Sequence, residues 1–284
     1  MITLLSPAKN LNFDPVKDVP RATRPGLLKD TKELSGVTID LSRADLKRLM
    51  GISDNLADLN YQRFQALQAT GTGRGTKHAA LAFNGDVYLG LDANTLSTDD
   101  LEFAQDHLRI LSGLYGILRP LDAIEPYRLE MGTRLKNPRG RNLYEFWGDK
   151  VSGTLNKALR EHDEKTIVNL ASNEYFSVVD KKTLSAQIIT PVFKEEKDGK
   201  LRQLQFYAKR ARGLMARYAI ENRIEKAADL KAFSVDKYRF DPQGSTEDTW
   251  LFTRPQPAPV GAKPKAKTST KTVAKKRAKR AKTA

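Results

Sequence analysis

Cysteine is missing altogether from the 284 residues. That excludes disulfides, thiolate metal sites, iron–sulfur clusters and thiol redox chemistry. Histidine is nearly missing: the three, His78, His107 and His162, lie far apart in sequence, and none falls in an HxxxH or ExxH spacing. No metal or other cofactor is therefore expected, and an iron site made of carboxylates finds no support in any spacing. No apolar run approaches the roughly 20 residues that span a bilayer. The first residues also lack the basic region and long apolar stretch of a signal peptide. A soluble protein with no membrane partner is the expectation.

The end of the chain is without acid. From Pro255 onward the chain carries ten Lys or Arg and no Asp or Glu. The whole chain has 49 cations, 34 acids and a net charge of +15. Setting the ten aside leaves 39 cations against 34 acids, a net +5. The strong basicity is thus a property of the end of the chain, and the body is only mildly basic. Residues 255–284 are Pro-, Ala-, Lys- and Thr-rich, with no recurring apolar face, and are expected to be a disordered tail. Its cations, with Lys275, Lys276, Arg277, Lys279 and Arg280 as the densest run, suit a polyanion by counterion release. Residues 1–254 are expected to form one domain.

Apolar periodicity places the elements. Ile2 to Leu5 is a buried strand ending at Ser6, Pro7, Ala8 and Lys9. Ser6 and Lys9 also spell S-x-x-K, but the helix that a serine nucleophile requires there is poorly supported. Lys9 reads better as a fixed positive charge in a cleft. Residues 68–78 hold three glycines with Arg74 and Lys77 and do not satisfy the P-loop spacing, so they read as a flexible loop. His78 to Phe83 is expected as a strand, and Asn84-Gly85-Asp86 as a turn into a second short apolar run, Val87 to Leu91. Leu101, Ala104, Leu108 and Leu111 recur at helical steps, with Ser97 or Thr98 as cap and Gly113 and Gly116 as stop. Tyr144 to Leu159 reads as one helix, and Ile167 to Ala171 as a strand ending in Ser172, Asn173 and Glu174. Asp198-Gly199 marks a hairpin, and Phe233–Phe240 with Trp250–Thr253 a second one. The class is α/β, a mixed sheet surrounded by helices.

Two stretches carry the candidate chemistry. Residues 42–66 read as two helices joined at Gly51-Ile52-Ser53. A glycine hairpin of this kind can bring backbone N–H groups to a phosphate, with Ile52 plugging the gap between the helices. Ser53 in place of a second glycine, and Asp54 and Asp58 nearby, count against it; an ordinary packed helical hairpin is the other reading. The second stretch, residues 119–139, is proline-punctuated and rich in both charges: Arg119, Asp122, Glu125, Arg128, Glu130 and Arg134. It is either the wall of a cleft or an ion-pair lattice pinning a long connection. With Glu174 it offers arginines for phosphate and a carboxylate for proton transfer. Further on, Lys209, Arg210, Arg212 and Arg217 load one helix, where Tyr207 and Tyr218 are candidate stacking partners.

SPAK, ISDNLA, FNGDVYLGL, HLRILSGLYGILRPLDAIEPYRLEMGTRL, LYEFWGD, NLASNEYF and FYAKRARGLMARY, in that order over residues 1–254, resemble the YaaA family of bacterial peroxide-stress proteins. The resemblance implies a cytosolic single-domain α/β protein with an unusual fold and a positively charged cleft. It also implies a helix-hairpin-helix element, DNA binding and a role in limiting peroxide damage. The hairpin contacts would be Lys47, Arg48, Gly51, Ile52 and Ser53. The cleft would be lined by Lys9, Arg128, Glu130, Arg134, Glu174, Lys209, Arg210, Arg212 and Arg217. The basic tail lies beyond the usual end of that family. DNA, double-stranded or distorted, is the expected partner of a protein expected to be monomeric. The alternative is an enzyme acting on a nucleotide or nucleic acid in the same cleft.

Overall fold

The computed structural model describes residues 1–257; the tail cations Lys275, Lys276, Arg277, Lys279 and Arg280 lie outside the described residues. The core is an eight-stranded mixed sheet. Its strands are β1 (Ile2–Leu5), β2 (Leu108–Ser112), β3 (Gly116–Leu118), β4 (Thr166–Asn169), β5 (Gln187–Lys197), β6 (Lys200–Arg202), β7 (Arg239–Asp241) and β8 (Thr249–Pro255). The spatial order is β7-β8-β5-β4-β1-β2-β3, with β6 paired to β5. The five central strands run parallel, and β3, β6 and β7 are antiparallel additions. Strands β1, β2 and β4 are buried at every position, as parallel strands covered on both faces must be.

From β1 the chain steps outward to β2, then returns to the other flank of β1 for β4. The two directions diverge between β1 and β4. In open parallel sheets a crevice forms beyond the C-terminal ends of the strands at such a switch point. The ends here are tied together: the Ser172 amide donates to Ser6 Oγ at 2.9 Å, and that hydroxyl reaches Ser172 Oγ at 3.3 Å.

The main helices are α1 (Leu28–Ile39), α2 (Arg43–Met50), α3 (Asp54–Ala66), α4 (Asp86–Leu91), α5 (Thr98–His107), α6 (Lys150–Leu159) and α7 (Gln205–Glu221). Helices α4 and α7 cross through two glycines. A Cβ on Gly213 would stand 1.8 Å from the Val87 carbonyl oxygen, and one on Gly90 2.2 Å from that of Arg210.

Several expected elements take another form. The helix starting after Ser97, which caps it through a Ser97–Asp100 box, ends at His107 and not at Gly113. Leu108 and Leu111 belong to β2, and a strand buried on both faces satisfies helical apolar spacing by coincidence. Arg109 helps end the helix by donating to the carbonyls of Gln105, Asp106 and Leu108. The strand expected over 78–83 is a buried helical turn, Ala79–Ala82, between two-residue bridges at Lys77–His78 and Phe83–Asn84. The run after Asn84-Gly85 is helix α4, stabilised by its docking on α7. Tyr144 to Leu159 is two helices, Leu143–Trp147 and α6, broken where Gly148 adopts φ +48. The strand expected from Leu201 to Tyr207 is β6, which stops at Arg202, and Tyr207 is helical.

Candidate functional site

The helical hairpin forms around a glycine turn. Gly51 is left-handed (φ +60) at the end of α2, Ile52 is buried between the helices, and Ser53 caps α3 by accepting the Leu56 amide. Its charges cancel locally: Lys47 pairs with Asp54 at 2.8 Å, Arg43 with Asp58 at 2.6 Å and Arg48 with Asp45 at 2.6 Å. Asp54 also stands in the first turn of α3, where its carboxylate meets the positive dipole end that would otherwise attract a phosphate. Two helices joined at a left-handed glycine are present, and their cations are held by their own acids.

The central segment divides between the two expected roles. Asp122, nearly fully buried, accepts from Thr23, the Arg119 amide and the Arg119 guanidinium. Arg139 pairs with Asp30 and Glu33, and the Glu125 carboxylate accepts the Gln68 and Ala69 amides. These contacts pin the connection. Between them, from Tyr127 to Lys136, burial alternates residue by residue. Tyr127, Leu129, Met131, Thr133 and Leu135 go inward, while Arg128, Glu130, Gly132, Arg134 and Lys136 take the outward positions.

At the switch point these outward groups meet the loop after β1. Lys9 Nζ lies 3.3 Å from Glu130 Oε1, and Arg128 reaches the same oxygen through Nε at 3.1 Å and Nη2 at 2.9 Å. Glu130 Oε2 is buried and has no hydrogen-bond partner. Glu174 comes to the same rim, but its carboxylate accepts the Gly132 amide at 3.0 Å, which fixes the loop turn. Tyr144 donates to the Glu174 carbonyl. Burial holds the Tyr175 hydroxyl well above its ordinary pKa, with the Tyr127, Glu174 and Glu130 charges adding to the shift. Arg134 is exposed.

The four cations of α7 separate. Arg217 is committed: it bonds Glu221 at 2.8 Å and donates to Leu91, Asp92 and Thr95 of the α4 end. Arg212 is half-buried, and burial depresses its pKa. Lys209 and Arg210 are exposed. The two tyrosines are occupied internally: Tyr207 lies under the Arg254 guanidinium at 4.7 Å, and Tyr218 packs edge-on against Phe233 at 5.5 Å. The exposed aromatic is Phe206, 56% accessible, one turn before Lys209 and Arg210 on the same helix face. Sequence reasoning missed it, although its i, i+3, i+4 spacing to the two cations was there to be read.

Arg63 was missed as well. It projects from α3, half-buried, with a 3.4 Å hydrogen bond to Asn60 Oδ1. Burial lowers its pKa, and the nearby Arg128 charge lowers it further. A cavity of about 630 Å³ at the opposite edge of the sheet is lined by Met1, His107, Arg109, His162 and several carboxylates.

Fold and rim together define an α/β protein with a mixed-charge rim at the switch point of its sheet. The family described as peroxide stress protein YaaA matches residues 1–244, and the chain belongs to that family. It is 56% identical to the UPF0246 protein of Maricaulis maris over 263 residues, 93% of this chain and 99% of that one. Against the UPF0246 protein of Caulobacter vibrioides it is 57% identical over 257 residues, 90% of this chain and all of that one. Against that of Ralstonia pickettii it is 55% identical over 254 residues, covering 89% and 99%.

Proposed function

We propose that this peroxide-stress family member binds DNA in the cytoplasm, and that the contact runs along the C-terminal edge of its sheet. One feature carries the reading. Strand β5 outruns β4, pairs with β8 over Thr190 to Glu196, and turns back through Asp198-Gly199 into β6. The result is a wing projecting past the same edge where Ser6 and Ser172 meet. Lys197, Lys200 and Arg202 are exposed at its tip, and Phe206, Lys209 and Arg210 follow on the first turns of α7. Among the described residues, none of these five cations is in a salt bridge, and the exposed acids of the tip are Glu196 and Asp198. Strand β8 ends beside Glu196, so the sequence leads from this corner directly into its ten-cation segment.

A row of unpaired cations beside an exposed aromatic suits a phosphate backbone with an unstacked base. That favours distorted or partly single-stranded DNA over a regular duplex. The hairpin at Gly51 contributes less, because its acids answer its cations. Among the described residues no helix is long and apolar enough to cross a membrane.

The test is fluorescence anisotropy with labelled duplex, bulged duplex and single strand at low salt. Changing Lys200, Arg202 and Arg210 to Glu in the full chain should weaken binding to all three by an order of magnitude or more, about 1.4 kcal/mol per tenfold step. Phe206→Ala should weaken single-strand and bulge binding more than duplex binding. Unchanged affinities in both variants would refute the wing as the contact.

A further inference from the structure

The switch-point rim holds more positive charge than its two carboxylates, Glu130 and Glu174, answer. Lys9 and Arg128 both bind Oε1 of Glu130, while Oε2 is buried without a donor. Arg63, half-buried on α3, is close enough to feel the Arg128 charge, which lowers its pKa after burial itself. Its helix end is docked onto the same segment through the Gln68 and Ala69 amides on Glu125. Three cations meet two carboxylates, Glu130 and Glu174, at this rim, so one positive charge is unanswered and Glu130 Oε2 lacks a hydrogen-bond donor. Leaving a buried acceptor unpaired is unfavourable, and a ligand that supplies the donor recovers that loss.

We propose that this rim binds a free nucleoside monophosphate: Arg63, Arg128 and Lys9 take its phosphate, and Glu130 Oε2 accepts a sugar hydroxyl. A phosphate monoester near neutral pH carries close to two charges, and the guanidinium fork matches its oxygens. A backbone phosphodiester brings one charge and no hydroxyl. A DNA 5′ end keeps the phosphate, but its neighbouring 3′ oxygen is esterified and has no proton to give Glu130. The chemistry therefore selects the free nucleotide. This site does not depend on the wing, and the two readings fail separately.

Isothermal titration of the full chain with thymidine 5′-monophosphate, thymidine, inorganic phosphate and a 5′-phosphorylated oligothymidylate tests it. The monophosphate should bind more tightly than inorganic phosphate, and thymidine should not bind. Arg63→Ala should weaken the monophosphate about tenfold or more, the loss of one charge-assisted bond. Lys9→Ala, at a side chain 65% exposed and so unable to disturb the core, should weaken it in the same direction. Glu130→Gln should leave inorganic phosphate bound at least as well while narrowing the advantage of the nucleotide. The proposal is overturned if the monophosphate fails to bind, if thymidine binds equally well, if Arg63→Ala and Lys9→Ala leave the affinity unchanged, or if the oligonucleotide end binds more tightly than the free nucleotide.

Discussion

Gly213 approaches Val87 so closely that a Cβ at position 213 would stand 1.8 Å from the Val87 carbonyl oxygen. The contact is backbone against backbone, so no side chain can swing away to relieve it. It sets the distance between α4 and α7, and α7 carries Phe206, Lys209 and Arg210 at its start. Gly213→Ala should cost about 1–3 kcal/mol, as overpacking does. Urea unfolding measures it, and a midpoint equal to that of the parent chain would mean that the helices separate freely.

The wing is fastened at its base by a buried charge pair. Arg254 lies between Tyr207 and Tyr238, with Nε 3.5 Å from Glu195 Oε1, and both charged groups are almost wholly buried. Arg254→Ala would strand Glu195 in the interior at about 3–5 kcal/mol. Pairing Arg254→Met with Glu195→Gln should cost less than the single change. Denaturant titration of the two variants checks the order.

Asp54 is 83% exposed and holds Lys47, which is 52% exposed. An exposed pair contributes little to stability, about 0–1 kcal/mol. Asp54→Asn should therefore leave the melting temperature nearly unchanged while releasing Lys47 and unmasking the start of α3. If the hairpin touches DNA at all, low-salt affinity should rise in this variant. An unaltered affinity would assign the hairpin to packing alone.

His162 should make the fold acid-sensitive. Burial, then the charges of the Met1 amine, His107 and Arg109, hold its pKa down to about 4 against an ordinary 6.5. The unfolded chain thus takes up a proton near 6.5 that the folded chain refuses until about 4. The stability is fully present above the higher value and falls as pH drops through that window. Melting temperatures from pH 7 to pH 5, where most carboxylates remain ionised, should fall less steeply in His162→Gln.

Much of this was legible in the residues. The strands at Ile2 and Ile167, the capped start at Ser97 and the glycine turn at Gly51 follow from local chemistry, and local chemistry decides them. The polar ends of two strands were legible, and Ser6 does bond Ser172. What failed was choosing between helix and strand where every position is buried, as at Leu108 to Ser112 and Ala79 to Ala82. There periodicity has no wet face to report. Arg217 and Tyr218 could not be sorted from Arg210 and Phe206 by sequence, because the sorting depends on partners more than a hundred residues away in α4 and its flank or on packing against Phe233. Arg63 was overlooked because its neighbour, Arg128, is distant in the chain.

The central claim is that the folded body grips DNA through its wing, with the basic end adding to that grip. The direct measurement is the salt dependence of binding to one bulged duplex for three full-length proteins: the parent, the Lys200, Arg202 and Arg210 to Glu variant, and one with Lys275, Lys276, Arg277, Lys279 and Arg280 changed to Gln. Each phosphate contact adds about 0.9 to the slope of log affinity against log salt. The account predicts a smaller slope in both variants, by about three units for the wing and by up to about four to five for the tail. A wing variant with the parent's slope and affinity would contradict it.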